Sequence, residues 1–260
     1  MHDVSYELHP QWYPYRRDWR RRYFYRRSAQ AASHILTVSR FSAGEIASAY
    51  RVPPDRISVT PLGADERFEP GEPGALPPGV ASPYVLQVGD LHERRNLVLL
   101  VEAVLAARRA GAPAGLSLVL VGVDLGVGDR LRRLAGDASA PEAVVQLGAV
   151  SDARLASLYR GAMAFVYPSL YEGFGLPLIE AMRSGTPVIA SSAASIPEVM
   201  GNAGRLLDPR DRRAWTQAMA DIASDDELRA RLRTAGLGRA AEFTWRRTAQ
   251  LTLEVYRRVA

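Results

Sequence analysis

From Ser82 to Ala190 the chain repeats one pattern: a short, almost unbroken apolar run, a loop, then an amphipathic stretch. Runs apolar on nearly every residue fit strands buried on both faces, and strands that alternate with helices return to one sheet in parallel. The pattern predicts strands at Tyr84–Val88, Leu116–Val121, Ala143–Leu147, Ala164–Tyr167 and Pro187–Ala190. Between them it predicts helices at Asn96–Ala110, stopped by Gly111, around Arg130–Leu134, and from the Ser151-Asp152 cap through Arg160. The fold class is therefore α/β, a Rossmann-like parallel sheet with helices on both faces. Helical segments near Arg210–Ser224, Asp226–Ala235 and Trp245–Val259 follow, the last without a strand to return to.

Upstream the elements are sparser. A basic aromatic helix, a strand at Ile35–Val38, a helix opened by a capping box Ser42-x-x-Glu45 and a strand at Ile57–Thr60 are too few for a complete domain. The Pro/Gly-rich run Glu69–Gly79 marks a boundary. The expected organisation is an incomplete N-terminal α/β domain at 1–68, a linker at 69–83, the Rossmann-like domain at 84–240 and a terminal helix at 241–260.

The stretch Glu172-Gly-Phe-Gly-Leu-Pro-Leu-Ile-Glu180 joins the fourth of these strands to the next helix. Two glycines fall where the strand has ended, proline falls where a helix begins, and a second carboxylate follows inside the first turns. A helix N-terminus offers unpaired N–H groups and a partial positive charge, glycines let the backbone approach an anion, and strand ends of open α/β sheets are where ligands bind. A carboxylate near such a helix end can chelate a ribose diol. By contrast, Gly122-Val-Asp-Leu-Gly126-Val-Gly128 is not a G-x-G-x-x-G fingerprint, and no G-x-S-x-G elbow occurs. Ser195-x-x-Glu198 reads as a capping box.

Glu172 to Ser191 resembles the E-x7-E region of the retaining glycosyltransferases of family 4, which have the two-domain GT-B fold. The similarity extends to Ala32–Ser39, Arg56–Gly63, Val88–Asn96 and Ile196–Gly204, in the family's order. The resemblance implies transfer of a sugar from a nucleotide-sugar donor to a sugar or lipid-linked acceptor, with retention of anomeric configuration, in cell-envelope polysaccharide or glycolipid synthesis. It implies no cofactor and no metal, the nucleotide sugar being a co-substrate. By position, Glu180 resembles the carboxylate that binds the ribose hydroxyls. Glu172 with Gly173, Phe174 and Gly175 resembles the part that holds the donor sugar, and the N–H groups around Gly175 and Leu176 would meet the diphosphate. Arg94 and Arg95 would supply the cations that a departing nucleoside diphosphate needs, with Arg95 standing where the family usually has lysine. Asp90 stands where many relatives have arginine. His2, followed by Asp3, resembles the family's histidine at the end of an N-domain strand, near the reacting face of the sugar; with Glu172 it is expected in the catalytic part of the site.

The resemblance also implies that a full cleft needs a second Rossmann-like domain, of which residues 1–68 correspond to the last portion. The expectation is a missing N-terminal half or a partner subunit, so that the chain alone binds donor without transferring it. Another enzyme of the same fold, a nucleotide-sugar epimerase or a phosphorylase, is the further alternative.

Composition narrows the chemistry. There is no cysteine and no lysine, so all 33 basic residues are arginine, which excludes thiolate, Schiff-base and P-loop lysine mechanisms. None of the four histidines, His2, His9, His34 and His92, has metal-ligand spacing, and His92 reads as incidental. Residues 1–34 hold seven arginines against three carboxylates and so carry +4 of the net +5. Within Tyr13–Arg27, whose arginines run from Arg16 to Arg27, Tyr15, Trp19 and Tyr23 form an i, i+4, i+8 stripe flanked by arginine. Two readings stand: docking on an anionic membrane surface, or aromatics packed on the protein with the charges solvated. Nucleic acid is not expected as a partner. No apolar run has the length of a membrane span and no signal peptide is visible, which places the protein in the cytoplasm, peripheral on the inner face of the membrane if the stripe docks there.

Overall fold

The computed structural model describes residues 1–13 and 18–259. Two parallel sheets organise them. The first pairs β1 (Ile35–Thr37) with β2 (Ile57–Val59), Ile35 opposite Ile57. The second holds β3 (Tyr84–Val88), β4 (Ser117–Val121), β5 (Val144–Gln146), β6 (Ala164–Tyr167), β7 (Val188–Ser191) and β8 (Arg205–Leu207). Its order is β5-β4-β3-β6-β7-β8, all parallel. The chain builds outward from β3 in one direction, then crosses back to lay β6 against β3's other side. That reversal, between β3 and β6, opens a crevice at the strands' carboxyl ends.

The apolar runs of β3, β4, β6 and β7 are buried on every residue. Because side chains alternate across a strand, each run feeds two cores. Leu86, Val88, Phe165 and Tyr167 face one, with Leu178, Ile179 and Met182 of the helix Leu176–Arg183. Val85, Leu118, Leu120 and Val166 face the other, with Leu100 and Val104 of the helix Leu97–Arg109 and Trp215 and Met219 of the helix Arg212–Ser224. A third core of Val4, Ala29, Ile35, Ile46, Tyr50 and Val52 lies under the first sheet.

Most expected elements stand within a few residues of their predicted ends. The helix around 130–134 runs from Gly128 to Asp137, its start capped by Asp124, whose Oδ1 accepts from the N–H groups of Gly126, Val127 and Gly128 at 2.9–3.0 Å. Among the elements not predicted are the short helix Ser5–Leu8 and β8. β8 is a three-residue edge strand, half-buried throughout, so it lacks the apolar run that marks the others. The helix Ile196–Met200 is a single turn beginning beside Pro197.

Both predicted capping boxes take other forms. The helix Arg40–Tyr50 is capped by Ser39, whose Oγ accepts from Ser42 N at 3.0 Å, so Ser42 lies inside the first turn. Ser195 makes no side-chain cap, and the Glu198 carboxylate reaches instead to that other helix, accepting from Arg40 N at 2.9 Å and Phe41 N at 3.1 Å. Residues 1–4 form no strand, and their tie to the first sheet is the Met1 amine donating to Leu36 O at 2.8 Å.

Of the aromatic stripe, Tyr15 with Arg16 and Arg17 lies outside the described residues. The rest of it sits on the helix Trp19–Ala31, where Trp19 is 69% exposed and Tyr23 54%, so these rings are not packed on the protein, and Phe24, outside the stripe, is 66% exposed. Arg22 of the same helix reaches inward to Glu7 at 2.9 Å. The helix Trp245–Val259 returns to the first sheet: Thr248 Oγ1 donates to Pro61 O at 2.6 Å and Arg258 Nη2 to Ser58 Oγ at 2.7 Å.

Candidate functional site

The loops after β3 and β6 meet at the crevice. After β6 the chain runs through Pro168–Gly175 into the helix Leu176–Arg183, with Pro177 in its first turn. The two glycines serve different ends. Gly175 has φ +97°, the left-handed region that favours glycine. Gly173 is needed for close approach, since a Cβ there would lie 2.8 Å from Asp3 Cβ and 2.9 Å from His2 O. The N-terminal segment thus rests directly on the loop.

After β3 the backbone turns through Gly89 into a single turn at Glu93–Arg95. His92 begins that turn: its Nδ1 accepts from Arg94 N at 3.2 Å, and its Nε2 lies 2.9 Å from Trp12 O. The histidine that the sequence left without a role therefore shapes the arginine loop. Arg95 is buried, its guanidinium 5.1 Å above the Tyr167 ring and hydrogen-bonded to the Tyr167 hydroxyl. Arg95 Nη1 is 2.7 Å from Glu172 Oε1, and Arg94 Nη1 is 3.0 Å from Glu172 Oε2 and 3.2 Å from Tyr171 O. Each carboxylate oxygen of Glu172 so takes one arginine. Burial works against the Arg95 charge, but Tyr167 and Glu172 more than offset it, and its pKa is raised. Burial likewise pushes the Tyr167 hydroxyl up, so it is a neutral partner at physiological pH.

Around these groups lies a cleft of about 220 Å³ lined by His2, Asp3, Val38, Leu62, Arg94, Arg95, Tyr167 and Glu172 through Pro177. Eight of the nine residues singled out in the sequence therefore come together there: His2, Arg94, Arg95, Glu172, Gly173, Phe174, Gly175 and Leu176. Within the cleft the N–H groups of Gly173, Phe174, Gly175 and Leu176 donate to no acceptor among the described residues. Gly173, Phe174 and Gly175 are buried, and a buried N–H without a partner is costly unless something else supplies one. Arg94 and Arg95 offset the carboxylates of Glu172 and Asp3 in the lining. The wall of unpaired donors and arginine is suited to an anion with several oxygens.

Glu180 does not line this cleft. It lies one turn into the helix, its Oε2 accepting from the Tyr159 hydroxyl at 3.0 Å. Burial raises its pKa above the ordinary carboxylate value, the Tyr159 hydrogen bond opposing that shift. Tyr159 and Tyr167 went unread in the sequence because their apolar surroundings make them look like core residues. Ser42 and Ser195 were legible only as helix caps and Ser39 only as the end of a family-like segment, although all three hydroxyls contact the Glu172–Phe174 backbone. Asp90, to which the sequence gave no role, accepts from Val123 N at 3.1 Å and so ties the loop after β3 to the loop after β4.

A six-stranded parallel sheet with a strand-order reversal that opens a crevice defines a Rossmann-like α/β protein. Comparison with known proteins narrows this. The profile of glycosyl transferases group 1 matches residues 74–239, and that of glycosyltransferase family 4 matches residues 1–68. The O-antigen chain mannosyltransferase B of Escherichia coli is 34% identical over 266 aligned residues, which cover 99% of this chain and 69% of that protein. The MMP alpha-(1->4)-mannosyltransferase of Mycolicibacterium hassiacum is 33% identical, covering 89% of this chain and 55% of that one. The solved sucrose-phosphate synthase of Thermosynechococcus elongatus superposes with a TM-score of 0.76 at 27% identity, over 93% of this chain and 62% of that one. The chain belongs to the family 4, group 1 glycosyltransferases of GT-B fold, and it spans 55% to 69% of the length of these two curated relatives.

Proposed function

We propose that the protein takes part in transferring a hexosyl group from a nucleotide sugar to a hydroxyl of a sugar or lipid-linked acceptor, with retention, in cell-envelope polysaccharide or glycolipid synthesis. The observation that carries this reading is the convergence of Arg94, Arg95 and the unpaired N–H groups of Gly173–Leu176 on one cleft. There the diphosphate of the donor meets fixed donors and two cations, which stabilise the charge that grows on the leaving group and make a metal unnecessary. Glu172 orients both arginines and contacts the donor sugar, and Glu180 accepts from the ribose hydroxyls. His2, which lines the same cleft, faces the reacting side of the donor sugar. The leaving phosphate takes the acceptor proton in a front-face displacement, so no protein nucleophile is assigned. The exposed Trp19, Tyr23 and Phe24 beside Arg20 and Arg27 support a peripheral seat on an anionic membrane, where the rings sit at headgroup level and the arginines attract acidic lipid.

Calorimetric titration with a panel of nucleoside-diphosphate sugars in EDTA tests the donor site. Nucleoside-diphosphate mannose comes first, because both curated relatives described above are mannosyltransferases. Saturable binding that Glu180→Ala weakens is expected. Binding that needs a divalent metal, or that Glu180→Ala leaves unchanged, overturns the assignment.

A further inference from the structure

Three successive carbonyls of the loop after β6 are held by serine hydroxyls. Ser39 Oγ donates to Gly173 O at 2.6 Å and Ser42 Oγ to the same oxygen at 3.0 Å. Ser195 Oγ lies 2.9 Å from Glu172 O and 3.2 Å from Phe174 O, and shares its one proton between them. All three serines are fully buried, at 0% exposure. Two belong to the segment that caps the helix Arg40–Tyr50, more than 130 residues away in sequence from the oxygen they hold.

A peptide unit is planar and trans, so the carbonyl of one residue and the N–H of the next point in opposite directions across one rigid plane. Holding the carbonyls of Glu172, Gly173 and Phe174 therefore fixes the N–H vectors of Gly173, Phe174 and Gly175. These are three of the four groups that find no protein acceptor and line the cleft. Glycine at 173 and 175 removes the side-chain restraint on φ and ψ that would otherwise keep this loop in shape, so the restraint has to come from outside it.

We infer that Ser39, Ser42 and Ser195 are positioning residues that lock the N–H groups of Gly173, Phe174 and Gly175 toward the donor's diphosphate and sugar. The inference rests on the donor-binding reading above. Ser39 and Ser42 stand on the first-sheet side of the cleft and Ser195 on the second-sheet side, so donor-loop geometry depends on how the two sides sit together. The Glu198 carboxylate on Arg40 N and Phe41 N secures the same junction.

The test uses the full chain, with Ser195→Ala and the double variant Ser39→Ala/Ser42→Ala compared with wild type. Guanosine and uridine diphosphate are the calorimetric probes, and 13C-labelled Glu172, Gly173 and Phe174 carbonyls report by NMR whether each oxygen still accepts. The expected result is an upfield move of the carbonyl resonances and diphosphate binding weaker by about tenfold, the effect of losing one net hydrogen bond's worth of alignment. Ser195→Ala leaves the junction between the two sides intact, so it remains informative if the double variant fails to fold. Unmoved resonances overturn the clamp, and moved resonances with unchanged affinity overturn its role in donor binding. A wild type that binds neither diphosphate overturns the donor reading and the role built on it, while the resonances still decide the clamp itself.

Discussion

Arg95 and Glu172 meet at 2.7 Å with side-chain exposures of only 10% and 7%. A buried ion pair gains little over an apolar pair, but removing one partner strands the other charge in a medium that cannot solvate it. Arg95→Ala should accordingly destabilise the fold by about 3 kcal/mol, the lower end for a broken buried pair, because Arg94 still holds the second oxygen of Glu172. Removing both charges in Arg95→Ala/Glu172→Ala should cost less than the sum of the single changes. Urea denaturation of the cycle measures the coupling; strictly additive losses would show that the pair does not act as a unit.

Gly89 stands directly under that arginine. Its φ is +120°, and a Cβ there would lie 2.6 Å from Arg95 Nη2 and 2.8 Å from Cζ. In Gly89→Ala the guanidinium has to leave its place on Glu172 while the backbone is strained, the strain costing about 1–3 kcal/mol. Nucleotide-sugar affinity should fall by about tenfold for loss of a charge-assisted hydrogen bond of ~1.5 kcal/mol. A variant that unfolds at the wild-type urea concentration and binds donor equally well would contradict this packing.

The parts of this site that the sequence announced are those with local causes. Gly175 needs its left-handed φ, Pro177 fits a first helical turn, and the apolar runs of β3 and β6 place both loops at one end of the sheet. Resemblance added Arg94, Arg95 and His2, which no spacing rule would select. What stayed hidden depends on contacts between distant segments. Ser42 and Ser195 look like helix caps because a cap is the commonest local use of serine, and no local pattern tells a hydroxyl that bonds its own helix from one that bonds Gly173 or Glu172 across the cleft. Glu198 was placed correctly in its helix and wrongly in its bonding, because its acceptors' partners lie at Arg40 and Phe41. β8 escaped because an edge strand half in solvent needs no apolar run.

Glu198 allows a contrast between two kinds of contact on one carboxylate. It caps two otherwise unpaired N–H groups at the start of the helix Arg40–Tyr50, and it also lies 3.5 Å from Arg40 Nε, whose side chain is 83% exposed. Loss of the cap in Glu198→Ala should cost about 1–2 kcal/mol. Arg40→Ala should cost no more than about 0.5 kcal/mol, since an exposed ion pair is screened by water and salt. Denaturation of the two variants side by side separates these. Equal losses would mean that the ion pair, and not the cap, holds the junction.

Glu180 ties stability to donor binding through its protonation. Burial raises its pKa, with the Tyr159 hydrogen bond opposing that shift and the Asp152 and Asp65 charges adding to it. An acid whose folded pKa exceeds its unfolded value holds its proton longer in the folded state. Its penalty on folding is therefore absent below the unfolded pKa and grows as pH rises through the raised folded pKa. Glu180→Gln should then unfold at higher urea than wild type at pH 7.5, and the advantage should vanish near pH 4. The same change removes a carboxylate oxygen offered to the ribose, so donor affinity at pH 7.5 should fall by about tenfold. In wild type, affinity should begin to weaken on acidification at a pH above the ordinary glutamate range, as the carboxylate takes up its proton. Donor binding that is flat through this range, together with no stability gain in Glu180→Gln, would place Glu180 outside the donor site and its burial without consequence.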